Sequence, residues 1–487
     1  MNLTRTKSIS SLLDQAKHSD LKRTLTAKSL MALGIGAIIG AGLFVRTAAA
    51  SAEAAGPSVT MSFLVAAIGC AFAGLCYAEF AAMIPIAGSA YTYAYTTMGE
   101  FAAWTIGWAL VLEYALGAAT VAIAWSEYMN RLIGGIIPFE WCHSPLDVND
   151  AGVHGIVNAP ALVILLLLTA LLVRGTQESA TINSIIVAIK ITIVLVFIGI
   201  GWHFVNAANH TPYFIPANTV GHEDFFKHGW GGMLGGAGIV FFAFIGFDAV
   251  STAAQEAKDP SKDMPKGILG SLAICTILYV LFGYVLTGVA NWTEFAKAGK
   301  EASVAYAVEH HMPGFEWLAT AITVAILFGF SSVILVMLLG QSRVFYTMSH
   351  DGLLPDFFNH CHPKYCTPYK CNITLFFFVG AFAGFIPGSM AGDLTSIGTL
   401  FAFVLVCIGV WILRRAQPGL HRPFKTPMVP LVPILGMLVC SAMIISLDHR
   451  TQITAACWML VGFLIYFGYG RTHSKLNLPE VKSAAAD

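Results

Sequence analysis

The chain has 487 residues, of which 56% are hydrophobic and only 11% are charged, and its mean hydropathy is +0.71. A soluble protein carries roughly 25% charged residues, so soluble enzymes and nucleic-acid binders are excluded. Lys+Arg and Asp+Glu number 27 each, so the net charge of 0 points to no polyanionic partner.

The first apolar run follows about 28 mostly polar residues, which is not the pattern of a cleaved signal peptide. A membrane helix needs about 20 largely apolar residues. Runs such as 54–78, 151–173, 267–293, 317–342 and 426–447 contain no Asp, Glu, Lys or Arg. With the less clean runs added, the pattern predicts twelve spans in an all-α integral membrane protein. They are placed at 27–48, 57–80, 99–130, 157–173, 178–204, 231–254, 266–291, 316–342, 371–388, 393–413, 428–447 and 452–470. The segment from Pro85 to Tyr93 carries no charge and reads as a short inner re-entrant or interfacial helix. An even number of spans puts both ends of the chain on one side. With that side cytoplasmic, 20 Lys/Arg fall on inner segments and six on outer ones, Arg46 among the latter. The positive-inside rule therefore predicts cytoplasmic termini in a cell-membrane protein, with lipid as its surroundings.

The first span reads Gly34-Ile-Gly-Ala-Ile-Ile-Gly-Ala-Gly-Leu-Phe44, and the sixth reads Gly238-Ile-Val-Phe-Phe-Ala-Phe-Ile-Gly-Phe-Asp248. Glycine-interrupted spans at corresponding places in two halves point to an inverted-repeat transporter with its site at the breaks. A broken helix leaves amides and carbonyls that hydrocarbon cannot satisfy. A zwitterion satisfies both kinds, its carboxylate at a half-helix N-terminus and its ammonium at exposed carbonyls. The plainer reading of the same glycines is close helix packing.

Glu113, in the third span, and Asp248, behind the sixth span's break, are deep carboxylates. Each reads either as a coupling group or as a buried hydrogen-bond anchor. Glu79 and Glu127 lie nearer span ends and stand out less. Lys190 sits about twelve residues into the fifth span, roughly 18 Å from its inner end, which is too deep to snorkel. A lysine there costs about 2.5 kcal/mol or more unless paired, hydrated or neutral. Buried lysines lose protons readily, so Lys190 reads as a coupling residue, the plainer alternative being a lysine facing a wet cavity.

The inner loop Cys361-His-Pro-Lys-Tyr-Cys-Thr-Pro-Tyr-Lys-Cys371, preceded by His360, has four-residue gaps between cysteines rather than paired zinc spacing. No metal site is expected. Most of the ten cysteines, Cys70, Cys275 and Cys440 among them, lie in apolar runs as small hydrophobes. All fifteen histidines lie in loops, tails or span ends, which disfavours an intramembrane enzyme. No phosphate-cradling loop is present, which speaks against ATP-driven transport.

Together these segments resemble the amino acid–polyamine–organocation superfamily, and within it the bacterial cationic-amino-acid-transporter branch. The resemblance runs from about Leu21 to Gly470. It is carried by the glycine-rich first span, Gly88-Ser-Ala-Tyr-Thr-Tyr93, Phe244-Ile-Gly-Phe-Asp-Ala-Val250 and Asp259-Pro-Ser-Lys-Asp-Met-Pro-Lys-Gly-Ile268. Two further motifs join them, Arg343-Val-Phe-Tyr-Thr-Met-Ser-His-Asp-Gly-Leu-Leu-Pro355 and Arg422-Pro-Phe-Lys-Thr-Pro-Met-Val-Pro430.

The resemblance implies a LeuT-like core of two inverted five-helix repeats, 27–204 and 231–413. Helices one and six are broken, 428–470 forms two peripheral helices, and 1–26 and 471–487 are tails. It places the substrate carboxylate at the amides of Gly40, Ala41 and Gly42. It places the amino group at carbonyls of Ile38, Phe242 and Ile245, beside Ala243, with Phe242 as an aromatic gate. The middle residue of the triplet is often Ser or Thr in relatives; Ala41 keeps the amide and lacks the hydroxyl. Lys190 takes the place that bound sodium holds in sodium-coupled relatives, so proton coupling without sodium is implied. Glu113 and Asp248 match the neighbouring carboxylates, with Tyr279 bridging them. Met337 lies at the floor of the side-chain pocket, where animal arginine carriers have a smaller residue. Neutral L-amino acids of small or medium size are favoured. A carrier of arginine or lysine, an exchanger, and a sensor that binds without transport are the alternatives. No cofactor is expected.

Overall fold

Helices occupy the apolar runs, since only a helix satisfies the backbone within one segment where water is absent. The computed structural model describes residues 5–7, 25–84, 89–149, 151–174, 180–295, 303–365 and 367–477. Among them the only strand-like pairings are two isolated bridges, Leu25 with Ala257 and Val148 with His154. The main helices are α1 (Ala27–Ile38), α2 (Val59–Met83), α3 (Ser89–Thr97), α4 (Glu100–Leu132), α5 (Ala159–Arg174), α6 (Ala180–Gly201) and α7 (Gly229–Val240). They continue with α8 (Pro260–Val289), α9 (Glu316–His350), α10 (Tyr369–Phe385), α11 (Gly388–Ala416), α12 (Leu431–Ser446) and α13 (His449–Ile465).

Among the described residues, seven helical stretches are long and apolar enough to cross a membrane, and five shorter apolar helices stand at the other predicted places. The first span differs most from expectation. After a break it continues through wide turns at Gly42–Arg46 and Ser51–Ala55, so it ends at Ala55 rather than near residue 48. Gly56 then turns the chain into α2 with φ +59°. Arg46 therefore lies inside a helix and not in an outer loop. Of the expected Pro85–Tyr93 helix, residues 85–88 lie outside the described residues. The rest forms α3, whose Tyr91, Tyr93 and Tyr95 are buried within the protein.

Helix α4 is the central post. The most apolar stretch of it is wholly buried, and it packs against α9, α11, α10 and α3. The outward faces of other helices are apolar: Ile68, Leu167, Ile185, Ile277, Phe328 and Leu464 are all exposed. Apolar side chains spread over so much of the outside fit lipid rather than water.

Near one end of the bundle, Glu79 of α2 is fully buried and accepts from Arg414 Nε and Nη2 at 2.9 and 2.8 Å and from the Thr426 amide at 2.8 Å. Arg422 Nε completes the group at 3.3 Å. This ties α2 to the end of α11 and to the segment leading into α12, so Glu79 matters more than its place near a span end suggested. Removing one partner of a buried ion pair costs about 3–5 kcal/mol, because a charge is left stranded. Glu79→Ala is expected to lower stability by that order, read as the unfolding midpoint in mixed micelles, while Glu79→Gln loses less.

Candidate substrate site

Helix α1 stops at Ile38, and Ile39 takes an extended conformation with φ −73° and ψ 103°. The helix restarts at Ala41–Gly42, with the Leu43 amide bonded to the Gly40 carbonyl at 3.2 Å. The first amides of a restarted helix lack intrahelical acceptors, so those of Gly40, Ala41 and Gly42 face the break. Helix α7 gives way to a tight turn at Phe241–Phe244, then Ile245 is extended and Gly246 has φ +113°. That φ suits glycine, and a side chain on Gly246 would also press on the Ala37 carbonyl at 2.9 Å. The glycines in both spans are thus broken-helix positions as well as packing positions.

The two breaks meet. A Cβ on Gly42 would collide with the backbone of Ala243. The Tyr279 hydroxyl of α8 lies 2.9 Å from both the Ile38 and the Ala243 carbonyl oxygens, so it joins the two breaks. The expectation that Tyr279 bridges Glu113 and Asp248 is corrected on this point: its hydroxyl serves the backbone of the breaks. Phe244 and Phe63 pack on the Tyr279 ring at 5.3 and 5.4 Å. A carbonyl oxygen has two lone pairs, so Ile38 keeps one for a further donor. The Phe242 carbonyl already accepts the Ile245 amide at 3.3 Å and likewise keeps one. The Phe242 ring is buried.

Helix α9 forms a wall. Its Val333 would stand 3.1 Å from a Cβ on Gly40. One turn further on, Met337 Sδ lies 3.5 Å from where a Cβ on Gly117 of α4 would be, and the Thr395 methyl of α11 stands at the same distance from that point. Met337 therefore lies among α4, α9 and α11, one turn along α9 from the residue that faces Gly40.

Lys190 is buried, and its Nζ donates to the Gly36 carbonyl at 3.0 Å, in the last turn before the break. Its alkyl chain passes Gly329 of α9, where a Cβ would stand 2.9 Å from Cε. Gly329 thus makes room for the lysine, while Gly36 makes room for Val187 one turn before it. Glu113 and Asp248 are both buried and interact electrostatically with each other and with the Tyr77 hydroxyl. Asp248 Oδ1 accepts the Gly246 amide at 3.3 Å, so this carboxylate anchors the second break whatever else it does.

Sequence reasoning missed one pair. Arg46, four residues beyond Gly42, forms a buried ion pair with Asp393 in the second turn of α11, and Gly392 packs against the guanidinium. Each residue carried a signal, as a charge at the margin of an apolar run, but nothing in the sequence pairs them. In the Cys361–Cys371 loop Cys361 is exposed and Cys371 is buried, and Cys366 lies outside the described residues. Among the described residues no group of three His, Cys, Asp or Glu is placed to hold a metal.

Residues 25–467 match a family described as amino acid permease. The chain is 43% identical to the branched-chain amino acid permease BcaP of Bacillus subtilis over 97% of this chain and 98% of that one. It is 40% identical to the methylthioribose transporter of the same species, over 98% and 99% of the two chains. It is 32% identical to the vacuolar cationic amino acid transporter 4 of Arabidopsis thaliana, over 86% of this chain and 68% of that one. With full-length relatives among permeases and an all-helical body clad in apolar side chains, the chain belongs to the amino acid permease family of the amino acid–polyamine–organocation superfamily and is an integral membrane transporter.

Proposed function

We propose that the protein is a secondary transporter that moves neutral L-amino acids across the cell membrane by alternating access, coupled to protons and independent of sodium. The observation that carries this reading is the meeting of the two helix breaks. Gly42 of the restarted helix stands against the Ala243 backbone, the Tyr279 hydroxyl joins the Ile38 and Ala243 carbonyls, and the breaks carry unbonded amides at Gly40–Gly42 and spare carbonyl lone pairs at Ile38 and Phe242. Those groups match the carboxylate and ammonium of an amino acid backbone. Ile245 and Ala243 complete the turn of the second break.

In this reading the twelve apolar helical segments all cross the membrane. Residues 27–204 and 231–413 are the inverted repeats, 428–470 is peripheral, and both tails are cytoplasmic. Removing Arg46 from the outer loops leaves the charge asymmetry with the same sense. The Lys190 ammonium supplies the positive charge that bound sodium would otherwise bring. Loss of its proton weakens its hold on the Gly36 carbonyl, which links protonation to the geometry of the first break. Glu113 and Asp248 share that network, Asp248 through the Gly246 amide.

The choice of neutral substrates rests on the side chains beside the breaks. Met337, Val333 and Phe242 are apolar, and methionine fills volume without offering a useful hydrogen bond. One of the relatives is named for branched-chain amino acids, which agrees with an apolar pocket of medium size. The test is competition by unlabelled compounds against labelled alanine and leucine uptake. Neutral amino acids should compete strongly, arginine and methylthioribose weakly. Met337→Ser is expected to improve competition by larger or cationic side chains by about tenfold or more. Strong competition by arginine alone in the unmodified protein would restore the cationic reading, and by methylthioribose alone a thiosugar reading.

A further inference from the structure

Helix α2 turns one face to the second break. Cys70, Gly74 and Tyr77 share that face by their spacing. A Cβ on Gly74 would stand 3.7 Å from the ring of Phe247, the residue before Asp248. The Tyr77 ring meets Phe247 at 5.9 Å, Phe403 of α11 at 5.5 Å and Tyr93 of α3 at 6.4 Å, each edge-on. Aromatic rings from three elements thus fix where the Tyr77 hydroxyl stands. That hydroxyl is buried and makes no hydrogen bond among the described residues. Leaving such a group without a partner costs about 1–3 kcal/mol. Packing alone does not account for it, since phenylalanine would fill the same space without the cost.

Acidic groups surround the hydroxyl. Glu113 of α4 and Asp248 both act on it electrostatically, together with the Tyr93 and Tyr114 phenols. Glu113 is buried, and neither of its carboxyl oxygens has a hydrogen-bond partner among the described residues. Gly398 lets α11 come close, a Cβ there lying 3.5 Å from the Glu113 amide nitrogen. The nearby Thr399 hydroxyl is spent on its own helix, where it donates to the Thr395 carbonyl at 3.1 Å. Asp248 lies against the same face of α2, since it acts on Cys70 as well as on Tyr77. The groups that act on Glu113 are Asp248 and Thr399, and neither is a cation. Two buried carboxyl groups coupled in this way share protons rather than ionise together.

We infer that the Tyr77 hydroxyl is the relay through which a proton passes between Glu113 and Asp248. In the step, the Glu113 carboxyl gives its proton to the Tyr77 oxygen as the Tyr77 hydroxyl gives its own to the Asp248 carboxylate. One O–H bond breaks at Glu113, one forms at Asp248, and the tyrosine is neutral before and after. Negative charge moves from Asp248 to Glu113, and no co-reactant is needed. Asp248 Oδ1 accepts the Gly246 amide at 3.3 Å, and a neutral carboxyl holds an amide less strongly than a carboxylate does. Arrival of the proton therefore loosens the second break. In this conformation the hydroxyl is beyond hydrogen-bond distance of both carboxyls, so the relay closes when the second break carries Asp248 toward α2. The inference rests on the proton-coupled reading and adds to it a residue outside the substrate site.

The test compares Tyr77→Phe with the unmodified full chain in proteoliposomes. Two rates are read: leucine-driven acidification of the lumen, from a trapped pH dye, and counterflow of labelled leucine, which needs no net proton movement. Phenylalanine keeps the ring contacts and removes only the hydroxyl, so the unfolding midpoint should not fall. Leucine-driven acidification should drop on the order of a hundredfold, the usual worth of a positioned proton carrier. Counterflow should fall far less, with its half-saturating leucine concentration kept. Tyr279→Phe is the contrast. Its hydroxyl joins the carbonyls of the two breaks, so its loss should raise the half-saturating concentration in both assays. Undiminished acidification in Tyr77→Phe would overturn the relay, and so would an equal fall in both rates, which marks a structural role. Absence of leucine-driven acidification in the unmodified protein would instead overturn the proton-coupled reading on which the relay rests.

Discussion

Lys190→Ala is expected to abolish gradient-driven accumulation in proteoliposomes while leaving the protein folded. The ammonium is the donor on the Gly36 carbonyl immediately before the first break. Alanine removes both the titrating group and that donor. Facilitated exchange down a substrate gradient needs no net proton movement, so counterflow should persist at reduced rate. Size-exclusion behaviour should stay that of a folded protein, and Lys190→Met, which keeps most of the chain packed against Gly329, is the control for the void that alanine leaves. Unimpaired accumulation in this variant, together with stimulation by sodium in the unmodified protein, would show that the coupling lies elsewhere.

The second large effect concerns the contact between the breaks. A Cβ at Gly42 meets the Ala243 backbone, which cannot swing aside as a side chain can. Gly42→Ala should therefore push the two breaks apart, and with them the carbonyls that Tyr279 joins. Overpacking of this kind costs about 1–3 kcal/mol, or roughly ten- to hundredfold in affinity if it falls on the site. Gly42→Val should leave no measurable binding. Gly40→Val is expected to be milder, because its nearest neighbour is the Val333 side chain at 3.1 Å rather than backbone at 2.2 Å. Gly199→Ala is the control, since nothing stands within 4 Å of a Cβ there. Isothermal titration or scintillation proximity binding of leucine reads all four. Equal affinity in Gly42→Ala and Gly199→Ala would show that the breaks are not where substrate binds.

Legibility in the sequence followed the range of the interactions. Helix positions came from local apolar runs, so α4, α8 and α9 were visible to within a few residues at most ends, though α9 runs two turns further than expected. The breaks were visible because glycine clusters inside hydrocarbon-length runs are costly unless they serve a purpose. Lys190 was visible because a single charge in a span has few explanations. Contacts between residues far apart in the chain were not visible. Arg46 and Asp393 are separated by 347 positions, and each looked like an ordinary boundary charge. Arg46 was further disguised because the wide turns at Gly42–Arg46 and Ser51–Ala55 carry the helix past the expected end. Tyr279 was recognised as important but given the wrong partners, since its bonds go to backbone carbonyls that any sequence would possess.

The most direct test of the account is uptake by the purified protein in sealed liposomes, with an inward proton gradient and no sodium. Labelled leucine or alanine should accumulate above its external concentration and be released when a protonophore collapses the gradient. Binding of the same amino acids without accumulation would mark the protein as a sensor, and accumulation that requires sodium would contradict the role given to Lys190.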